Sequence, residues 1–214
     1  VLNSDPALTV NGEHRLQLDA ARTERLKGFA QVNKVTLNTL VQAAWLLLLQ
    51  HHTGQATVAF GATVAGRPAE LRGIEQQVGL FINTLPVVAT PDARQSVSQW
   101  LQQIQAQNVR LREQEHTPLF EIQRWAGLGG EALFDSILVF ENYPVSEALE
   151  QIAPSGLRFG TIQSLEQTHY PLTVLLGIGE TLALEFNYDR HLFSAVYIRR
   201  LAEHFEQLLQ ALAE

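Results

Sequence analysis

The chain has 214 residues, a formal charge of −7, and neither cysteine nor methionine. Composition alone therefore excludes disulfides, thiolate metal sites and cysteine nucleophiles. Its 15 Lys and Arg residues are scattered rather than clustered, so nucleic acid is not an expected partner.

With 46% apolar and 17% charged residues, the composition is that of a soluble globular protein. The length suits one domain or one large lobe and allows roughly 70% of the unfolded surface to be buried. The start, Val1-Leu2-Asn3-Ser4-Asp5-Pro6, has no basic region before an apolar core, and reads as an excision boundary rather than a targeting signal. The longest apolar stretch, Leu40 to Leu49, is interrupted by Gln42 and is too short for a membrane span of ~18 residues. A cytoplasmic protein with no membrane partner is expected.

Residues 13–18 alternate polar and apolar side chains, which predicts a strand. Asp19 caps a helix to about Lys34, with Leu26, Phe29 and Ala30 on one side. Thr36 opens a second helix through Leu49, closed by Gly54. Its apolar residues, among them Leu40, Val41, Ala44 and Trp45, lie nearly all round, so it should be buried. Strands are predicted at 58–64 and 78–88, separated by a Gly/Arg/Pro loop. Ser96 caps a long helix to about Glu115, with Val97, Leu101, Ile104 and Val109 inward, and Pro118 starts a shorter one ending near Gly127. Further strands are predicted at 134–140, 157–165, 172–179 and 181–188, and Ser194 caps a last helix. The interleaving gives an α/β (α+β) class: a two-layer mixed sheet covered by helices, in one domain spanning residues 1–214.

No catalytic constellation is present. His51-His52 lacks a following carboxylate, since position 56 is Ala56, and a helix end suits histidines on structural grounds. The seven histidines form no metal-ligand spacing. Gly127-Leu128-Gly129-Gly130 has no following Lys and reads as a plain loop. Polar residues in apolar company are more informative. Alternation puts Asn83 on one face with Phe81 and Leu85; it either ties down a neighbouring backbone or, with Thr84, lines a cavity for an extended substrate. Pro86 implies an edge or a bulge. Arg67 is either a surface charge or a tether for a carboxylate. Thr168-His169-Tyr170-Pro171 enters a strand, with the Tyr170 ring aimed by the proline after it and His169 a weak acid/base candidate.

Five segments follow one another along the chain: the run from Thr36 to Trp45, Phe60 to Pro68, Val78 to Pro86, Phe134-Asp135-Ser136 leading into Val139 to Pro144, and Tyr170-Pro171-Leu172-Thr173. In this order they resemble condensation domains of nonribosomal peptide synthetases. The resemblance implies one lobe of a two-lobed fold similar to chloramphenicol acetyltransferase, with a tunnel between the lobes. There an amine on one carrier domain attacks a thioester on another. It makes Asn83, Thr84, Arg67, Thr168, His169 and Tyr170 candidates for the tunnel wall. It also implies a latch, placed here at 145–165, reaching the other lobe.

The family's HHxxxDG motif has no copy in this chain, so no catalytic residue is assigned and the fragment is expected to be inactive alone. The partners implied are the amino-terminal lobe and the donor and acceptor carrier domains. Their phosphopantetheine arms act as substrates, and no cofactor or metal is assigned to this chain. The ending Asn83-Thr84-Leu85-Pro86 resembles peptide-forming members more than epimerising ones, and His169 stands where many relatives have Asn. A module that recruits partners without catalysis, and an ester-forming acyltransferase, are the competing readings.

Overall fold

A computed structural model describes residues 10–67, 71–127, 131–141 and 168–214. Six strands and five main helices are found there. They are β1 (Asn11–Leu18), α1 (Ala20–Val32), α2 (Leu37–Thr53), β2 (Val58–Val64), β3 (Asn83–Ala89), α3 (Val97–Arg112), α4 (Leu119–Trp125), β4 (Ser136–Glu141), β5 (Leu172–Ile178), β6 (Leu182–Asp189) and α5 (Ala195–Leu212).

The helices begin where short-range chemistry says they should. A free backbone N–H at each start needs an acceptor. Asp19 accepts from Arg22, Thr36 from Thr39, Ser96 from Gln99 and Ser194 from Tyr197. At Ser96 the Gln99 side chain also reaches back to the cap backbone, completing a capping box. Gly54 ends α2 with φ of 68°, a left-handed geometry that suits glycine.

The strands form one mixed sheet in the order β1-β6-β5-β4-β2-β3. The β2/β4 and β4/β5 pairs are parallel and the others antiparallel. One face packs on α2 and α5 and carries the core: Phe60, Val87, Leu138, Val174, Leu176, Leu184 and Phe186 from the strands meet Trp45, Leu48, Leu101, Ile104, Leu201 and Phe205 from the helices. Trp45 is fully buried, edge-on to Phe205, and its Nε1–H donates to Ser136 Oγ at 3.3 Å. Thr23 of α1 bridges two strands, accepting the Leu182 N–H at 2.9 Å.

Two sequence expectations are corrected. The apolar run 78–88 is a strand only from Asn83, so Phe81 shares no strand face with Asn83, and Val78, Leu80 and Ile82 are exposed. No ladder partner reaches them, because β2 pairs only as far as Val64↔Asn83. On α3, Val97 and Val109 are exposed, and Trp100, Leu101 and Ile104 supply its buried face. Pro86 does lie on an edge strand, as its missing N–H requires. The predicted strand 157–165 and the latch at 145–165 fall outside the described residues.

Candidate functional site

Side chains alternate across a strand, so the register fixes what the sheet's second face, turned away from the core, presents. One cross-sheet row runs Pro86, Gly61, Ile137, Thr173, Asn187, Glu13; two residues further along the strands Thr84 lies opposite Thr63, and Val139, Leu175, Glu185 and Arg15 form a second run. The β1/β6 side of this face is ionic: Arg15 Nε lies 3.0 Å from Glu185, which also accepts from Asn187. From β5 to β3 it is apolar and hydroxyl-bearing.

At the centre of that apolar half, two aromatic rings stack. Phe134 lies two residues before β4 and Tyr170 two residues before β5, and because these strands are parallel their leading loops arrive at the same end of the sheet. The rings lie 5.4 Å apart at 25°. Phe134 presses onto Gly61 of β2: a methyl group at Gly61 would overlap the Phe134 ring and stand 2.7 Å from Thr84 Cγ2. A strand-interior glycine often marks such a close approach. Ile137 and Thr173 beside the pair are only 4% exposed. Thr168 Oγ1 and Thr173 Oγ1 are 2.6 Å apart, which fixes the loop carrying Tyr170. Burial pushes the Tyr170 phenol above its ordinary pKa.

Thr84, Thr168 and Tyr170 thus converge on one face. Asn83 has a different task. Its Nδ2 donates to the carbonyls of Glu115 and Thr117, at 3.0 and 2.7 Å, and its Oδ1 accepts the Thr84 N–H at 2.9 Å. The amide ties the turn between α3 and α4 to the start of β3. Of the two readings of Asn83, this contact pattern is that of a backbone tether.

Arg67, half-exposed, also works on backbone. It clasps its own loop, donating to the Ile74 and Gln77 carbonyls, the latter at 3.1 Å, with its guanidinium 4.3 Å from the Phe81 ring centre. Among the described residues it has no carboxylate partner. Gly66 beside it has φ of 61°, and a side chain there would strike the Phe81 carbonyl. His169 is exposed and makes no hydrogen bond among the described residues.

Sequence reasoning did not single out Gly61 as a site residue and used Phe134 only as part of a resemblance. Gly61 was findable, as a glycine in the middle of a β-branched and aromatic strand. Its partner was not, since 73 positions separate them in the chain.

The histidines gather elsewhere. His52 Nδ1 is 3.1 Å from Tyr197 Oη, and its Nε2 is 3.3 Å from His204 Nδ1. Burial, then the His204 and His51 charges, lower its pKa. Among the described residues no group of three or more His, Asp and Glu side chains could hold a metal ion. A cavity of about 160 Å³ is lined from the helical layer by Leu47, Trp100 and Leu212, with Asp92 its charged residue, already paired with Arg94. No single helix among the described residues is long and apolar enough to cross a membrane.

Comparison with known proteins agrees with this architecture. The chain is 46% identical over 199 residues to a linear gramicidin synthase of Brevibacillus parabrevis, covering 92% of this chain and 3% of that protein. It is 42% identical over 201 residues to a chondramide synthase of Chondromyces crocatus, covering 94% and 5%. The chain therefore spans only a few per cent of the curated relatives it matches. Among solved structures, the first condensation domain of the calcium-dependent antibiotic synthetase superposes with a TM-score of 0.77 at 20% identity, covering 94% of this chain and 45% of that one. A four-domain nonribosomal peptide synthetase bound to AMP and glycine gives 0.83 at 18%, covering 95% and 17%. These neighbours share the two-lobed chloramphenicol acetyltransferase-like fold. The family model described as Condensation domain matches residues 4–214. With the mixed sheet, the strand order and that match in agreement, the chain belongs to the condensation domain family of nonribosomal peptide synthetases.

Proposed function

We propose that this chain is the carboxy-terminal lobe of a condensation domain, and that its second sheet face forms one wall of the tunnel in which two carrier-tethered substrates meet. The observation that carries this reading is one of proportion. The chain aligns over 94% of its own length with only 45% of a solved condensation domain. It also contains no HHxxxDG sequence. An amino-terminal lobe then supplies the catalytic histidine, and donor and acceptor carrier domains supply the reactants on phosphopantetheine arms.

The reaction is acyl transfer. The acceptor amine attacks the donor thioester carbonyl, the C–N bond forms, the C–S bond breaks and the carrier thiol leaves with a proton. This lobe works by placement. Holding two tethered reactants in a reactive geometry lowers the barrier by as much as ~7–11 kcal/mol, against the 10²–10⁴-fold typical of acid/base help. Thr84, Thr168 and Tyr170 line the wall in this reading, while Asn83 and Arg67 hold the segments that frame it. Action in the cytoplasm, beside the carriers, belongs to the same reading.

The test is to join this chain to the segment upstream of it in the parent reading frame and supply two loaded carriers. Mass spectrometry should then show an amide on the acceptor carrier, and none from this chain alone. An ester product, or a degenerate histidine motif upstream with no product, would overturn the proposal.

A further inference from the structure

The stacked pair on the second face has a second property besides its position: neither ring can retreat. Phe134 is 5% exposed and rests on the bare backbone of Gly61, with Thr84 Cγ2 alongside. Tyr170 lies on top of it, with Pro171 following and the Thr168–Thr173 contact closing its loop. Aromatic rings have only two side-chain torsions, so a stacked and backed pair is a stiff surface. Phe134 is sealed inside and Tyr170 is only half-buried, so Tyr170 presents the outer surface to whatever occupies this face. Its hydroxyl has no hydrogen-bond partner among the described residues.

One row along the same face, Thr63 and Thr84 stand opposite each other across β2 and β3. Neither makes a side-chain hydrogen bond among the described residues. A hydroxyl pair beside an aromatic wall suits a ligand with amide polarity along its backbone and an apolar group projecting sideways.

We infer that Tyr170, backed by Phe134 and Gly61, is a specificity-determining wall that limits the size of the aminoacyl side chain passing over this face. The inference rests on the tunnel reading above and adds to it the residue that selects. Because the backing layer cannot give way, the limit is set by the ring itself. Removing the ring opens room, and a bulky side chain gains relative to a small one. A pocket change of this scale shifts discrimination by roughly tenfold or more.

The experiment uses the complete two-lobed domain with both carriers. Alanyl and tryptophanyl groups compete on the acceptor carrier, then on the donor, and product ratios are read by mass spectrometry. Tyr170→Ala should move the Trp/Ala product ratio upward by about tenfold on one of the two sides. Tyr170→Phe, which keeps the ring, should retain the wild-type ratio. An unchanged ratio on both sides in Tyr170→Ala, with total product merely lower, would overturn the inference and assign the pair a structural role. A parallel series measures binding of alanyl- and tryptophanyl-pantetheine amides to the same variants. If the wild type forms no amide, the functional reading falls, while the binding preference still reports the wall. Equal preference in wild type and Tyr170→Ala in that series would overturn it independently.

Discussion

The amide nitrogen of Asn83 donates to two carbonyls two residues apart, Glu115 and Thr117, while its oxygen accepts the N–H of Thr84. Every strong hydrogen-bonding capacity but one lone pair of this side chain is thereby occupied. One residue at the start of an edge strand fixes the turn that launches α4.

Asn83→Ala should therefore destabilise the protein by about 1–3 kcal/mol, because two carbonyls lose a donor in a half-buried place. For a chain of this size that is a fall in Tm of roughly 2–12 °C. Asn83→Asp should be worse than Ala, since carboxylate oxygens would face the two carbonyls. Thermal unfolding followed by circular dichroism decides it. A Tm within one degree of wild type for both variants would remove the tether from the account.

Gly61→Ala should be more damaging than its size suggests. The added methyl falls inside the Phe134 ring and against Thr84. Overpacking of this kind costs about 1–3 kcal/mol. Phe134→Leu should restore part of the loss in the double variant, giving a coupling energy of the order of 1 kcal/mol. Additive effects in a denaturant-unfolding cycle would show that the two positions do not meet.

Ser136→Ala tests the link between α2 and β4. It leaves the indole N–H of the fully buried Trp45 without its acceptor. The expected loss is about 1–3 kcal/mol. Trp45→Phe in the same background should recover part of it, because the orphaned donor disappears with the indole. Urea midpoints of the three variants check this.

Stability should fall as the solution is acidified below about pH 6.5, the unperturbed histidine value. Burial and the neighbouring His204 and His51 hold the His52 pKa below its ordinary value, while Tyr197 and His204 face it from α5. In the window between the two pKa values the unfolded chain binds the extra proton. The contribution is therefore present above the unfolded pKa and is lost as pH drops through the window. His52→Gln should flatten this part of the Tm-versus-pH curve. An unchanged slope in that variant would locate the titration elsewhere.

What could be read from residues alone follows the range of the forces involved. Asp19, Thr36, Ser96 and Ser194 cap their helices from within three residues, so those starts are written locally. Strands 58–64, 172–178 and 182–189 were legible from β-branched and apolar runs between turns. The run from Val78 to Ile82 has the same local look and is not strand, because Arg67, Gly66 and Phe81 tie it into a loop. That outcome depends on contacts 10 or more positions away. The wall was half legible: the Tyr170-Pro171 step announced a fixed ring, whereas its stacking on Phe134 needs the parallel β4/β5 register, which no short window contains.

The pairing of β1 with β6 joins Asn11 to Asp189 across 178 positions of chain. During synthesis β1 emerges long before its partner. At 5–20 residues per second the wait is roughly ten to forty seconds. Through that interval β1 has an unsatisfied hydrogen-bonding edge, and the sheet cannot close around α2 until β6 has left the ribosome. The final seam of this sheet is therefore a late, long-range event in its biogenesis. Substitutions in β1 or β6 should lower the yield of folded protein in cells more than they lower its equilibrium stability.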